Sequence, residues 1–259
     1  MKVGIIGCGV MGSAMARIIR NHHEVFLYTR RPETLDEDLK VKTTLTKSIE
    51  EIAKSSDMII LAVKPKDLEA LIEDLDPALK KGTLVLSILV GTTLDHLKSS
   101  FPTAKPFRLM PNLPLLCGKG LIGIAEDDDA LPEDKESVDQ VLSGLGSTVW
   151  LDEKLMNPFA ALTGSSPAFI CLIIEAMVQA GIAVGFKSEV ALELVLKTVE
   201  GTAGLLKQTG DSPSKVRQSV ASPRGTTVCG LNAMEANGVR HGVISGILQT
   251  FERGEEMEA

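Results

Sequence analysis

The stretch "VGIIGCGVMG", Val3–Gly12, decides the fold of the N-terminal part of this chain. It places Gly7, Gly9 and Gly12 between an apolar run typical of a buried strand and an amphipathic helical pattern. In this context Gly7 permits a tight turn, Gly9 lets the backbone approach a pyrophosphate, and Gly12 lets helix and strand pack closely. The helix N-terminus adds N–H donors for phosphate. The stretch therefore predicts a dinucleotide site, with a glycine turn that holds no nucleotide as the alternative.

Short apolar runs alternate with helical patterns through the N-terminal part of the chain, as in a parallel sheet covered by helices on both faces. The runs predicted as strands are Val3–Gly7, Val25–Tyr28, Met58–Val63, Leu84–Leu89, Phe107–Met110, Leu121–Ala125 and Thr148–Leu151. After Lys154 the pattern becomes helical, with predicted helices at Pro167–Gly185, Ser188–Leu206 and Ser212–Val220. We predict an α/β Rossmann domain over residues 1–153, with a doubly wound, mostly parallel sheet, followed by an all-α domain over residues 154–259.

The amino-acid composition argues against several classes of binding partner. The chain has 259 residues, of which 44% are hydrophobic and 3% aromatic, and its net charge is −7. Few aromatic residues and an acidic balance argue against nucleic acid and anionic membranes as partners. The four cysteines are far apart and form no C-x-x-C motif, so no disulfide framework or metal site is expected. Without a charged leader or an apolar run near ~20 residues, we expect a cytoplasmic protein with no membrane partner.

The segment "YTRRPE" after the second predicted strand indicates which dinucleotide binds. An NAD site usually has an acidic residue here, which bonds the ribose 2′-hydroxyl. This chain has Thr29, Arg30 and Arg31 instead. Guanidinium groups suit a 2′-phosphate by charge and by geometry, so NADPH is favoured and NADH stays open. The alternative is a pair of solvated surface arginines.

Five motifs occur in the order "MKVGIIGCGVMGSAMA", "AVKP", "RLMPNLP", "LTGSSPAF" and "SVASPRGTTVCGLNAMEANG". Together they resemble the pyrroline-5-carboxylate reductase family over nearly the whole chain. The first two motifs are shared with other NADP reductases, whereas the last resembles the family's signature. The resemblance implies NAD(P)H-dependent reduction of 1-pyrroline-5-carboxylate to L-proline. It also implies a helical domain through which two chains form a homodimer, with a higher oligomer of dimers left open.

The candidate cofactor residues follow the glycine loop, the strand ends and the matching motifs. Lys64 and Pro65 end a strand run at the carboxyl edge of the sheet, where ligands of such folds bind. The stretch Leu86–Thr93 ends the next run at the same edge. The complete predicted set is Gly7, Cys8, Gly9, Val10, Met11, Gly12, Thr29, Arg30, Arg31, Ala62, Val63, Lys64, Pro65, Ile88 and Asn112.

The segment "SPRGTT" inside the signature is the candidate substrate loop. The implied substrate is a small cyclic imino acid, whose carboxylate needs hydrogen-bond donors without bulky walls. Ser222, Gly225 and Thr226, at the start of a predicted helix, offer hydroxyl and backbone N–H donors. By resemblance, Thr227 is the hydroxyl near the ring nitrogen, and it is the candidate catalytic residue. A helix–helix turn with a capping Ser or Thr is the alternative.

Four departures from the family pattern leave these groups in place: Val10, Leu113, Ser166 and Arg224. Arg224 stands where the family usually has Gly, which could serve a positive φ or a close approach of the ligand. A β-hydroxyacid dehydrogenase is the rival enzyme, but its catalytic Lys has no counterpart in the stretch 156–185, which contains no Lys. A non-catalytic NADP-binding regulator is the rival outside enzymes.

Overall fold

The computed structural model describes residues 1–258, which divide into two compact units. The first comprises Met1–Ser165 together with the C-terminal segment from Thr250, and the second comprises Ser166–Gln249. The last position of the predicted helical domain, residue 259, lies outside the described residues. The predicted domain boundary between residues 153 and 154 stays a prediction.

The first unit contains an eight-stranded sheet in the order β3-β2-β1-β4-β5-β6-β7-β8. The strands are β1 (Lys2–Ile6), β2 (Glu24–Tyr28), β3 (Thr44–Leu45), β4 (Met58–Leu61), β5 (Leu84–Ser87), β6 (Lys105–Pro111), β7 (Gly120–Ala125) and β8 (Gly146–Leu151). Neighbouring strands pair in parallel except β6 and β7, so β7 and β8 run against the other six. The predicted doubly wound, mostly parallel α/β fold is confirmed. The strand order reverses between β1 and β4, which is the point where such sheets bind ligands.

The central strands are apolar on both faces because helices cover both sides of the sheet. On one face Val3 and Ile5 of β1 join a buried cluster with Met15. On the other face Ile6 joins a second cluster with Ile52. This double burial explains why the strands read as continuous apolar runs and why they could be predicted.

Seven α-helices belong to the first unit before Ser165. They are α1 (Val10–Ile19), α2 (Glu37–Lys42), α3 (Ile49–Ser55), α4 (Leu68–Leu75), α5 (Leu94–Ser100), α6 (Pro132–Leu142) and α7 (Met156–Phe159). The side chains of Asp36, Ser48 and Thr93 cap α2, α3 and α5 by accepting from a backbone N–H in the first turn. Gly9, at the N-cap of α1, makes no side-chain capping bond, so the first turn of α1 presents its N–H groups.

An ion pair between Arg108 and Glu153 connects three elements of the first unit. Arg108, on β6, is 2% exposed, and its Nη1 lies 3.0 Å from Glu153 Oε1. The same carboxylate oxygen accepts a hydrogen bond of 2.6 Å from the backbone N–H of Leu94, the first residue of α5. Glu153 begins a short 3-10 turn, Glu153–Leu155, after β8. One carboxylate thus joins β6, the start of α5 and the end of the sheet.

The second unit is all helical, as predicted. Its elements are α8 (Ser166–Ala183), α9 (Ser188–Thr209), α10 (Pro213–Val220), α11 (Thr226–Ala236) and α12 (Val239–Glu258), and α12 continues into the C-terminal segment of the first unit. Only Ala191 and Val195 of α9 are buried in the single chain. Large apolar residues such as Leu172 on α8 and Leu196 on α9 stay exposed. The single chain therefore leaves these helices uncovered.

One helical stretch among the described residues is long and apolar enough to cross a bilayer by length and composition. It is Glu153–Ala183, with 31 residues, a mean hydropathy of 1.7 in its most apolar window and none of that window buried. The sequence predicts no such stretch, because Ser, Thr and Gly interrupt its apolar residues. An exposed apolar helix also suits a subunit interface. The absence of a membrane partner therefore stays a prediction.

Candidate active site

A cavity of about 560 Å³ lies in the first unit where β1, β2 and β4 end at the same edge of the sheet. Each of the three strands leads into the wall of the cavity. The predicted cofactor residues found in that wall are Gly7, Cys8, Gly9, Thr29, Arg30, Arg31, Ala62, Val63 and Lys64. The structure thus brings together three segments that lie far apart in the sequence. The volume of this cavity is typical of a small-molecule or cofactor site.

In the loop after β1, Gly7 makes the turn and Gly12 the close packing that the glycine spacing predicts. Gly7 has a φ of +98°, and a Cβ there would lie 2.5 Å from the carbonyl oxygen of Ala62. A Cβ on Gly12 would lie 2.0 Å from the carbonyl oxygen of Gly7, so α1 packs directly on the loop. Gly9 has no atom within 4 Å of its Cβ position, which leaves open space beside the backbone. With the uncapped first turn of α1, this loop fits a pyrophosphate.

The two arginines after β2 differ in their contacts. Arg30 is exposed over 72% of its side chain, and its Nη2 lies 2.9 Å from Asp67 Oδ2. The backbone N–H of Arg31 donates to Thr29 Oγ1 over 3.3 Å, which shapes the turn after the strand. Both residues line the cavity, and their guanidinium groups suit a 2′-phosphate by charge and geometry. These residues therefore fit NADP.

Asp67 is a charged residue of the cavity wall that the sequence did not predict as part of the site. It ends a 3-10 turn, Pro65–Asp67, directly before α4. Its sequence signal was its place two residues after Pro65, since a side chain there lies at the same sheet edge as the strand end. Lys66, also unpredicted, lines the cavity as well.

Six predicted cofactor residues do not line the cavity: Val10, Met11, Gly12, Pro65, Ile88 and Asn112. Val10 is 69% exposed, and it lies with Met11 in the first turn of α1, beside the loop. Ile88 packs against the buried cluster that contains Val3. Asn112 follows β6, where its Nδ2 donates to Thr163 O over 3.1 Å and its Oδ1 accepts from Leu121 N over 2.8 Å. The amide of Asn112 therefore holds neighbouring backbone in place.

Cys8 lies in the glycine loop with its thiol mostly buried. Burial raises the pKa of the Cys8 thiol to about 11, so the thiol stays protonated near neutral pH. Because the thiolate is the nucleophilic form, Cys8 serves here as a small packing residue.

The signature loop forms a turn followed directly by α11 in the second unit. The backbone N–H of Gly225 donates to Ser222 O over 3.0 Å, which closes a four-residue turn with Pro223 at its second position. Arg224, at the third position, has a φ of 60° and is the one non-glycine residue with positive φ among the described residues. Type II turns need positive φ at this position, which explains the glycine usual in the family.

Gly225 is the N-cap of α11 and makes no side-chain capping bond. The first N–H groups of α11, on Thr226 and Thr227, therefore have no capping side chain and carry the partial positive charge of the helix end. Ser222 and Thr226 are exposed, whereas Thr227 is half-buried. Two threonines and backbone N–H groups without a side-chain cap thus lie at one helix start, a combination that suits a small carboxylate.

Comparisons with known proteins agree with both parts of this description. Residues 153–257 match the family model described as pyrroline-5-carboxylate reductase dimerisation, and residues 2–91 match the model described as NADP oxidoreductase, coenzyme F420-dependent. The pyrroline-5-carboxylate reductase of Synechocystis sp. is 32% identical over 99% of this chain and 98% of its own length. The chain belongs to the pyrroline-5-carboxylate reductase family. The resemblance noted in the sequence is confirmed.

Solved structures of the family have the same fold. Plasmodium falciparum pyrroline carboxylate reductase with NADP bound superposes with a TM-score of 0.92 at 28% identity, covering 100% of this chain and 98% of that chain. The Streptococcus pyogenes enzyme, 1-pyrroline-5-carboxylate reductase, gives a TM-score of 0.88 at 30% identity, covering 99% and 98%. Membership of the pyrroline-5-carboxylate reductase family displaces the β-hydroxyacid dehydrogenase as an interpretation.

Proposed function

We propose that this protein reduces 1-pyrroline-5-carboxylate to L-proline with NADPH as the reductant. When bound, the cofactor would supply a hydride to the carbon of the protonated imine, which gives NADP⁺ and the amine form of proline, and the amine then takes up a proton from solvent. The observation that carries the proposal is that one chain contains both a glycine-loop cavity and the signature loop at the start of α11. Family membership supports it.

In this proposal the first unit binds and orients the cofactor. Gly7, Gly9 and the first turn of α1 hold the pyrophosphate through backbone N–H groups. Arg30 and Arg31 select NADPH through its 2′-phosphate. Contacts to the cofactor from the other strand ends stay a prediction. They involve Ala62 to Pro65, Ile88 and Asn112.

The signature loop binds the imino acid in this proposal. The carboxylate accepts from the backbone N–H groups at the start of α11 and from the hydroxyls of Ser222 and Thr226. Thr227 donates its hydroxyl to the ring nitrogen as electron density builds there. Catalysis then rests mainly on orientation of the imine carbon, because no histidine lies in the motifs and an iminium already carries its proton.

We propose that the active protein is a homodimer formed through the helical unit. Its support is the match of residues 153–257 to a dimerisation family and the exposed apolar surface of α8 and α9. The family resemblance implies that the imino acid binds between the cofactor of one chain and helical residues of its partner. A higher oligomer of such dimers and a cytoplasmic location are predictions of the same proposal.

Steady-state kinetics with the purified protein test the proposed activity. Loss of nicotinamide absorbance should depend on 1-pyrroline-5-carboxylate and be faster with NADPH than with NADH at equal, subsaturating concentrations. Analytical ultracentrifugation of the same sample should give a dimer or a multiple of it. A folded sample with no imine-dependent oxidation of either cofactor would contradict the proposal.

A further inference from the structure

The ion pair between Arg30 and Asp67 occupies the part of the cavity wall that is proposed to receive the 2′-phosphate. The Nη2–Oδ2 distance is 2.9 Å, with 72% of the Arg30 side chain and 21% of the Asp67 side chain exposed. Both residues line the cavity. One nitrogen of the Arg30 guanidinium group therefore already contacts a carboxylate of this chain.

Asp67 lies at a helix start, a position that favours a carboxylate whether or not Arg30 contacts it. It lies at the end of the turn Pro65–Asp67 and directly before α4, and its side chain makes no capping hydrogen bond to the helix. The N-terminal end of a helix favours a carboxylate through its partial positive charge. A carboxylate at this position is therefore also favoured when Arg30 moves to another anion.

We propose that Asp67 competes with the 2′-phosphate of NADPH for Arg30 and so moderates the preference for NADPH over NADH. The inference rests on the proposed function, specifically on a 2′-phosphate that binds at Arg30. A carboxylate and a phosphate accept from the same donors of a guanidinium group. When NADPH binds, its 2′-phosphate must therefore either replace Asp67 at Arg30 or share the guanidinium group with Asp67. In both cases the phosphate lies near a carboxylate of like charge.

NADH does not meet this competition. Its 2′-hydroxyl carries no charge, so the ion pair between Arg30 and Asp67 stays intact when NADH binds. The effect of Asp67 is thus confined to the phosphate-bearing cofactor. Because an exposed ion pair is worth little, the expected effect is about three- to fivefold in affinity, or roughly 0.7–1 kcal/mol.

The test measures binding without turnover. Dissociation constants of NADPH and NADH are determined by nicotinamide fluorescence in the absence of imino acid, and adenosine 2′,5′-bisphosphate is titrated by calorimetry. The variants are Asp67→Asn, Arg30→Ala and the double variant. The control is Glu73→Gln, which removes one exposed charge from α4 at a residue outside the cavity wall.

We expect Asp67→Asn to bind NADPH and the bisphosphate about three- to fivefold more tightly, with NADH changed by less than about twofold. Glu73→Gln should change none of the three, and Asp67→Asn should have no effect in the Arg30→Ala background. Unchanged or weaker NADPH binding in Asp67→Asn overturns the inference, as does weaker NADH binding, which would make Asp67 a ribose ligand. Equal tightening in Glu73→Gln overturns it too, because net charge would then explain the effect.

The same experiment separates this inference from the cofactor site on which it rests. If Arg30→Ala leaves the binding of NADPH and the bisphosphate unchanged, the 2′-phosphate does not bind at Arg30 and the proposed cofactor site is wrong there. If Arg30→Ala weakens both while Asp67→Asn has no effect, only the competition by Asp67 is refuted.

Discussion

Arg224 shows how a single residue departs from its family at a conformational cost. Its φ of 60° lies in the left-handed region, where a residue with a Cβ costs about 1–2 kcal/mol more than glycine. The side chain is exposed, so the structure gives it no buried partner that would offset this cost. The glycine usual at this position thus serves the turn, as the sequence suggested.

We expect Arg224→Gly to leave substrate binding nearly unchanged. The backbone of the turn and its donors persist, so the KM for the imino acid should change by less than about threefold, under ~0.7 kcal/mol. The thermal midpoint should hold or rise, because the relief of left-handed strain offsets the larger entropy of glycine in the unfolded chain. A loss of tenfold or more for the imino acid alone would make Arg224 a substrate ligand.

The hydroxyl of Thr227 is the proposed contact to the ring nitrogen. Thr227→Val keeps the shape of the side chain and removes that hydroxyl, so we expect a lower kcat and a higher KM for the imino acid. The Kd for NADPH, measured by fluorescence, should stay unchanged. Thr198→Val, on α9, is the matched control, since its hydroxyl bonds only the Leu194 carbonyl within its helix. Unaltered kinetics in Thr227→Val would remove Thr227 from the site.

Arg30 and Arg31 are predicted to set the cofactor preference. A hydrogen bond to a charged group contributes about 1.5–3 kcal/mol. We therefore expect the double change to alanine to raise the KM for NADPH roughly ten- to hundredfold, with a much smaller effect on NADH. Equal effects on the two cofactors, measured in parallel assays, would show that the arginines are only surface charges.

At the scale of elements, the contact between α1 and the glycine loop positions the cofactor. Gly12→Ala places a methyl group against the backbone oxygen of Gly7, which a flexible side chain cannot relieve. We expect both weaker NADPH binding and a lower thermal midpoint. Gly9→Ala is the matched variant, because its Cβ meets open space and its φ of −75° suits alanine. It should keep the thermal midpoint and lose NADPH affinity, since the methyl group blocks the pyrophosphate.

The opposite pattern would contradict this account of the loop. If Gly9→Ala lowers the thermal midpoint while Gly12→Ala does not, close packing is needed at Gly9 and not at Gly12. If neither change weakens NADPH binding in the fluorescence titration, the loop does not hold the pyrophosphate.

The sequence predicted the elements that have a strong apolar pattern. All seven predicted strands exist. Burial on both faces makes the central strands continuous apolar runs, whereas the edge strand β8 has no fully buried residue. The strand β3 was missed, since Thr44 and Leu45 are both exposed and form only a two-residue edge. The helix α8 was predicted within two residues at each end, whereas its place in a longer helical stretch from Glu153 was not.

The candidate site could be predicted where backbone chemistry decides it. The glycine loop and the arginines lie at strand ends, and strand ends of a parallel sheet meet at one edge, so their convergence followed from the pattern. The pairing of Arg30 with Asp67 did not follow, because Asp67 comes from a different loop. The structural role of Asn112 was also hidden, since its partners Thr163 and Leu121 are distant in sequence.

At the scale of the whole molecule, the two halves of the proposed reaction belong to different units. The cofactor cavity is formed entirely by the first unit, and the signature loop belongs to the second. The exposed apolar helices of the second unit are consistent with a partner chain, as the match to a dimerisation family also indicates. The proposed reaction therefore depends on hydride transfer from the bound cofactor to the imino acid.

The transfer of isotope from cofactor to product tests that claim most directly. The protein is incubated with 1-pyrroline-5-carboxylate and NADPH deuterated at C4 of the nicotinamide, in separate reactions for each of the two C4 positions, and proline is analysed by mass spectrometry. We predict proline that carries deuterium at the former imine carbon in one of the two reactions and unlabelled proline in the other. No proline at all, or unlabelled proline in both, would contradict the account.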